Sequence, residues 1–216
     1  MDEITVKHMK KIMKVKKENA TNIAFVGRPN VGKSSLFNKL LGKDRAIVAD
    51  WAGTTRDTVD ALITRKGVDY RIIDTAGIRR KGKIDYGAEF FMINRAFKAM
   101  KRAEVVILLL DAVNGIVEQD RVLAERIAQE GRACVIALNK WDIVDDKDDK
   151  TYLKAVDNIR ISLPVLKWAD IVLISALTGQ RCEKLFDSVN KAATQFTRRI
   201  STSVLNEVIH DATLWM

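Results

Sequence analysis

The chain has 216 residues, 47% of them apolar, which suits one ordinary domain with a sizeable core and short additions at its ends. Two prolines and no low-complexity tract argue against long disorder, and no apolar run is longer than Val105 to Leu110, which is strand-sized and far short of a membrane-crossing helix. The formal net charge of +9 suits a polyanionic partner such as RNA, and equally suits plain solubility.

Residues 1–20 are rich in lysine (Lys7, Lys10, Lys11, Lys14, Lys16, Lys17), with a weak apolar stripe of Val6, Met9 and Met13. They read as a linker or arm, an RNA-touching tail being the alternative. The segment lacks the apolar core of a secretory signal, and Asp2 and Glu3 without a serine fit poorly with a transit peptide. From residue 22 strand and helix alternate. Short apolar runs at Ile23–Val26, Tyr70–Ile73, Val105–Leu110, Ala133–Leu138 and Ile171–Ile174 suit parallel strands buried on both faces. Ala61–Thr64 is a less apolar sixth strand, expected at the sheet edge and paired as a hairpin with Tyr70–Ile73 across Lys66-Gly67. Helical stripes are formed by Phe90, Ile93, Phe97 and Met100, by Tyr152, Val156, Ile159 and Leu163, and by Leu185, Val189, Ala192 and Phe196. Arg198-Arg199 closes the last of these. Ser201 or Thr202 is expected to cap one more helix, with Val204, Val208, Ala212 and Trp215 on one face. An apolar face with nothing after it is expected of a chain that continues in the intact protein. Cys134 and Cys182 have no metal-like spacing and are expected as buried, reduced thiols of a reducing compartment.

The alternation predicts an α/β fold: a six-stranded, mostly parallel sheet with helices on both faces and a ligand site at the carboxyl ends of the strands. Gly27-Arg28-Pro29-Asn30-Val31-Gly32-Lys33-Ser34, followed by Ser35, matches the phosphate-loop pattern G-x-x-x-x-G-K-[ST] between a strand and a helix. Its glycines let backbone N–H groups face phosphate oxygens, and the following helix adds its positive end. Lys33 is expected on the β- and γ-phosphates and Ser34 on Mg²⁺. Asp74-Thr75-Ala76-Gly77 ends the strand Tyr70–Ile73. There Asp74 is expected to hold Mg²⁺ directly or through water, and the Gly77 N–H to meet the γ-phosphate. Gly53-Thr54-Thr55-Arg56-Asp57 offers a threonine, Thr55 before Thr54, to coordinate Mg²⁺ only when the γ-phosphate is present. Trp51 beside it reads as packing.

Asn139-Lys140-Trp141-Asp142 follows the strand Ala133–Leu138. The Asp142 carboxylate suits guanine N1–H and its exocyclic amine, groups that adenine does not present, so ATP would leave it desolvated and unpaired. Lys140 is expected to lay its stem along the base, Asn139 to brace the phosphate loop, and the Ala176 N–H of Ser175-Ala176-Leu177 to meet guanine O6. The ligands so implied are GTP or GDP with Mg²⁺. Two other readings stay open: an ATP-using kinase or ATPase, which Asn139–Asp142 argues against, and a nucleotide-gated binding module with negligible turnover. A pure RNA binder is disfavoured, because no RNA-reading motif with stacking aromatics appears.

These motifs in this order resemble the TRAFAC-class GTPases. GRPNVGKSS at 27–35, GTTRD at 53–57, DTAGIRRKGK at 74–83 and NKWD at 139–142 are similar, more closely, to the second GTPase domain of the Der (EngA) family. The resemblance implies a GTPase domain over residues 21–200, a basic interdomain linker at 1–20 and the start of a KH-like domain at 201–216. It also implies a missing first GTPase domain, GTP hydrolysis, and a role on the large ribosomal subunit in the cytoplasm or, for an organellar source, the plastid stroma. Ile78 stands where many switch GTPases carry a water-orienting glutamine. Asn30 resembles the asparagine that marks potassium-activated relatives, in which K⁺ takes the place of an arginine finger's charge. This implies slow basal hydrolysis in Na⁺ and faster hydrolysis in K⁺. The run Arg79, Arg80, Lys81, Lys83 is either a solvated surface or a contact with RNA or another domain that changes with the nucleotide.

Overall fold

The computed structural model describes residues 19–42, 46–48, 60–75, 78, 88–145 and 147–214, with backbone only at 46–48 and 88–92. Seven strands form one sheet: β1 (Thr21–Val26), β2 (Ala46–Val48), β3 (Ala61–Arg65), β4 (Val68–Ile73), β5 (Val105–Asp111), β6 (Ala133–Asn139) and β7 (Asp170–Leu173). Their order is β2-β3-β4-β1-β5-β6-β7. The pairings β1·β4, β1·β5, β5·β6 and β6·β7 are parallel, and β2·β3 and β3·β4 are antiparallel. The expected α/β class and mostly parallel sheet are therefore present. All six expected strands lie in it, and the three-residue β2 joins as a seventh. β2 displaces β3 from the edge position expected of it, because a three-residue pairing leaves no periodicity to read. The hairpin expected between β3 and β4 is formed, with Lys66 at φ +48 and Gly67 at φ +80, the left-handed pair that a two-residue turn requires.

Six α-helices lie among the described residues: α1 (Lys33–Leu41), α2 (Ala88–Arg102), α3 (Glu118–Gln129), α4 (Asp149–Ser162) and α5 (Cys182–Phe196), which pack on the sheet, and α6 (Thr202–Leu214), which does not. Every residue of β5 and β6 is buried, so their side chains alternate into two separate cores. On one face Ile23, Phe25, Ile107 and Val135 pack with Leu36 and Phe37 of α1 and Leu185 and Val189 of α5. On the other, Ala24, Val26, Leu108 and Ile136 pack with Met100 of α2, Leu123 and Ile127 of α3 and Ile159 of α4. Cys134 and Cys182 are buried thiols, one in each core, and burial pushes the Cys134 thiol up to about 12.

The stripes meet the cores with exceptions at their ends. Tyr152, in the first turn of α4, and Phe196, the last residue of α5, are exposed. Helix α3 was not anticipated: EQDRVLAERIAQ is polar, and of its apolar residues Leu123, Ala124 and Ile127 are buried and Ala128 partly so, beside a half-exposed Val122. The Ser201 hydroxyl accepts from the Val204 N–H at 3.5 Å, as expected of a cap, but every described residue of α6 is exposed, the apolar Val204 and Val208 included. The lysine arm, the Phe90 side chain and Trp215 lie outside the described residues.

Candidate functional site

The carboxyl ends of β1, β4, β5, β6 and β7 converge, and the expected motifs sit on them. Gly27 follows β1 at φ +154, and a Cβ there would stand 2.6 Å from the Leu109 carbonyl oxygen on β5. Gly32 caps α1 at φ +102, where a Cβ would run into the Asn139 side-chain amide. Between them Asn30 lies exposed at φ +63. A loop curled this tightly turns its amides inward above a helix N-terminus. Lys33 bends back over the loop, its Nζ donating to the carbonyls of Gly27 (2.6 Å) and Arg28 (2.7 Å). Burial lowers its ammonium to about 8, against the opposing field of Asp120.

Not all loop side chains face a ligand. The Val31 side chain is in the core and its carbonyl accepts from Asn139, which leaves only its N–H for a phosphate. Arg28, expected among the nucleotide contacts, reaches away to the start of α3. Its Nη2 donates to the Gly115 carbonyl at 2.8 Å, and its Nε lies 3.3 Å from Asp120 Oδ2. The fully buried Asp120 also accepts from the Val117 N–H at 3.1 Å; burial pushes its carboxyl up, opposed by that bond and by Arg28. Pro29 lines a cavity of about 80 Å³ beside the loop, and Ser35 is exposed on α1.

The second motif sits across that cavity. Asp74 follows β4 at φ +56 and is buried. Its carboxylate shares the Nε–H of Arg95 on α2 at 2.8 and 3.0 Å. Its own N–H donates to Asp60 Oδ1 at 3.1 Å, and Asp60 Oδ2 pairs with Arg102 at the end of α2. Ser34 Oγ donates to the carbonyl of Ile78, whose side chain is buried in the first core. Thr54, Thr55, Trp51, Gly77, Arg79, Arg80, Lys81 and Lys83 lie outside the described residues.

At the third corner one side chain ties two loops together. Asn139, 2% exposed, donates through Nδ2 to the Val31 carbonyl (2.7 Å) and accepts at Oδ1 from the Ala176 N–H (2.8 Å). Asn139 thus joins the phosphate loop to the Ser175-Ala176 loop, and the amide expected to meet guanine O6 is engaged by Asn139 itself. Ser175 is buried, its hydroxyl accepting from the Thr178 N–H at 3.1 Å, and Leu177 is exposed. Lys140, at φ +66, donates from Nζ to Asp111 Oδ2 at 2.6 Å. Asp142 lies on a short 3-10 turn anchored by the buried Trp141, and no described residue donates to its carboxylate.

Asp111 was missed from the sequence. It ends β5, is 2% exposed, and accepts from Lys140, from the Val113 and Asn114 N–H groups and from Asn114 Nδ2. Burial pushes its carboxyl up, but those donors, Lys140 foremost, outweigh it and hold it at about 2. An acidic residue closing an apolar run just ahead of Val113-Asn114-Gly115 was the available signal.

The residues fit a phosphate-bearing ligand: Gly27 and Gly32 sit at positive φ where a Cβ would run into the Leu109 carbonyl or the Asn139 amide, so the loop keeps its tight curl beside Lys33 only with glycine at both places. They also fit a hard divalent cation. Ser34 touches Ile78, which lines one cavity with Lys33 and Asp74. The described residues contain no cluster of three or more His, Cys, Asp or Glu that could hold a metal. One carboxylate and one hydroxyl completed by ligand phosphates is the pattern of Mg²⁺ rather than of a dedicated protein cage.

A family model described as 50S ribosome-binding GTPase matches residues 22–140. GTPase Der of Nostoc sp. is 52% identical over 215 residues, covering 100% of this chain and 47% of that protein. GTPase Der of Synechococcus sp. is 56% identical over 193 residues, covering 89% and 42%. The chain therefore spans about half the length of the curated relatives it matches, and the resemblance to Der is met by relatives of that name. Among solved structures, Era in complex with MgGDPNP and nucleotides 1506–1542 of 16S ribosomal RNA superposes at TM-score 0.62 with 28% identity, covering 81% of this chain and 57% of that one. No described helix is long and apolar enough to cross a membrane.

Proposed function

The chain belongs to the family of 50S ribosome-binding GTPases, and from that premise we propose that it binds guanine nucleotide with Mg²⁺ and hydrolyses GTP to GDP and phosphate, as a switch used in assembling the large ribosomal subunit. The observation that carries the reading is Asn139, which pins the phosphate cradle to the Ser175-Ala176 loop one turn away from the open carboxylate of Asp142. In this reading the loop amides of residues 27–34 and the Lys33 ammonium grip the β-phosphate, and Asp142 accepts from guanine N1–H and its amine. The Lys140 stem, held by Asp111, walls the base. The Ala176 N–H would be shared between Asn139 and guanine O6. Mg²⁺ would be held by Ser34 and Asp74, and by Thr55 with the γ-phosphate present, while the Gly77 N–H meets that phosphate. Its bound charge would stabilise the negative charge developing in phosphoryl transfer.

Because Ile78 is apolar and 5% exposed, it orients no water, and basal turnover is slow. The exposed, left-handed Asn30 is the K⁺-linked residue in this reading. The same Ile78 supports a second reading, a nucleotide-gated binding module with negligible turnover on its own. Phosphate release over hours in KCl and in NaCl separates the two. Residues 21–200 form the GTPase unit in this reading, with 1–20 a basic arm and 201–216 opening a KH-like domain. The full protein acts on ribosome or rRNA, in cytoplasm or stroma. The direct test is calorimetric titration with GDP in Mg²⁺, with ADP as competitor. Micromolar or tighter GDP binding that ADP does not displace supports the reading, and equal binding of the two refutes it.

A further inference from the structure

Helix α2 holds the Asp74 corner at two points. Arg95 and Arg102 stand two turns apart and so project from one helical face. Arg102 pairs with Asp60, whose other oxygen holds the Asp74 N–H, so this grip fixes the backbone of the turn without touching the carboxylate. Arg95 takes the carboxylate itself, at 2.8 and 3.0 Å, on two thirds-buried and nearly fully buried partners respectively (side chains 29% and 9% exposed). Asp74 and Arg95 line one cavity with Lys33 and Ile78, and the Ile78 carbonyl holds the Ser34 hydroxyl. Both oxygen donors that suit a divalent cation are thus engaged by protein groups, one of them by a cation.

We propose that Arg95 is a latch on the metal corner: its guanidinium competes with Mg²⁺ for the Asp74 carboxylate, so that α2 lets go of Asp74 when metal and nucleotide bind, while Arg102 and Asp60 remain as the hinge. This rests on the Mg²⁺–nucleotide reading above. The physical ground is charge. A dication and a guanidinium cannot both lie against one partly desolvated carboxylate without strong repulsion, and occupancy by either weakens the other by the same factor. The consequence reaches past the site, since the ion pair that metal binding opens is a principal tie between the Asp74 turn and the middle of α2.

The test uses the intact chain loaded with a fluorescent GDP analogue, with Mg²⁺ titrated in and nucleotide release followed by fluorescence, so that no hydrolysis is read. Arg95→Gln and Arg95→Met, the latter filling the apolar cavity beside Ile93 and Ala96, are each expected to lower the half-saturating Mg²⁺ concentration by about tenfold, the worth of one charged hydrogen bond. Arg102→Gln removes the same charge without freeing the carboxylate and is expected to stay within about twofold of the parent. Circular dichroism melts establish that each variant is folded, and either Arg95 variant suffices. An unchanged or increased Mg²⁺ requirement in a folded Arg95 variant overturns the latch, the increase marking Arg95 as a support for Asp74 instead. An equal fall with Arg102→Gln overturns it too, reducing the effect to general electrostatics. If the parent chain retains no GDP, the nucleotide reading fails and the latch with it, whereas GDP binding with Mg²⁺ response unaltered by Arg95 refutes the latch alone.

Discussion

Asn139→Ala removes two buried hydrogen bonds at once, to the Val31 carbonyl at 2.7 Å and from the Ala176 N–H at 2.8 Å. Both backbone groups are left without a partner, in a place where the side chain they lost was 2% exposed and water has little access. Each orphaned group costs about 1–3 kcal/mol, so the pair costs roughly 2–6 kcal/mol out of a total stability on the order of 5–15 kcal/mol. For a domain of this size that lowers the melting temperature by on the order of 10 °C. Asn139→Asp is expected to do no better, since it keeps an acceptor for Ala176 but turns a carboxylate oxygen onto the Val31 carbonyl. Urea unfolding of the ligand-free protein reads the loss as a lower midpoint with an unchanged slope. A change under about 0.5 kcal/mol for Asn139→Ala would show that the loops do not depend on this bridge.

Gly32→Ala adds a Cβ at φ +102 into the Asn139 amide, and is expected to abolish GDP binding in a calorimetric titration while lowering the urea midpoint. The Asp111 carboxyl, held at about 2 in the fold against 3.8 for the free group, contributes about 2 kcal/mol. A lowered folded-state value makes that contribution present above about pH 5 and lost as pH falls toward 2, so Lys140→Met should flatten the acid limb of a urea-midpoint profile between those limits. With burial lowering the Lys33 ammonium to about 8, GDP binding to the free site should weaken by up to about tenfold between pH 7 and 9, and a flat affinity profile over that range would show that burial does not bring the ammonium into it. Hydrolysis by the parent chain is expected to be faster in KCl than in NaCl, and Asn30→Ala to erase the difference in a phosphate-release assay.

What could be read from the sequence was what depends on neighbours in the chain. The phosphate loop was legible because its curl is set within Gly27–Ser34, and β5 and β6 because a run buried on both faces is apolar without a break. Asn139 was legible through its motif, and its grip on Val31 spans from β6 to the loop after β1, two parallel strands that end at the same edge of the sheet with β5 between them. The rest was hidden by distance. Arg28 meets Asp120 and Arg95 meets Asp74 across the fold, and no spacing rule links such pairs. Lys140 was assigned to a ligand, while its ammonium is held by an aspartate on the neighbouring strand. α3 escaped because three buried residues suffice once a sheet lies beneath them.

The sheet ends, as described, in its shortest members, β2 with three residues and β7 with four. A foreign strand laid along β7 would find few open amides, and β7 begins with the charged Asp170, whose carboxylate carries Lys191 at 3.3 Å. Augmentation by an extended peptide is therefore a poor route to the β7 margin. Whatever docks there is expected to use side chains, and alanine scanning rather than backbone methylation of a partner peptide is the way to map it.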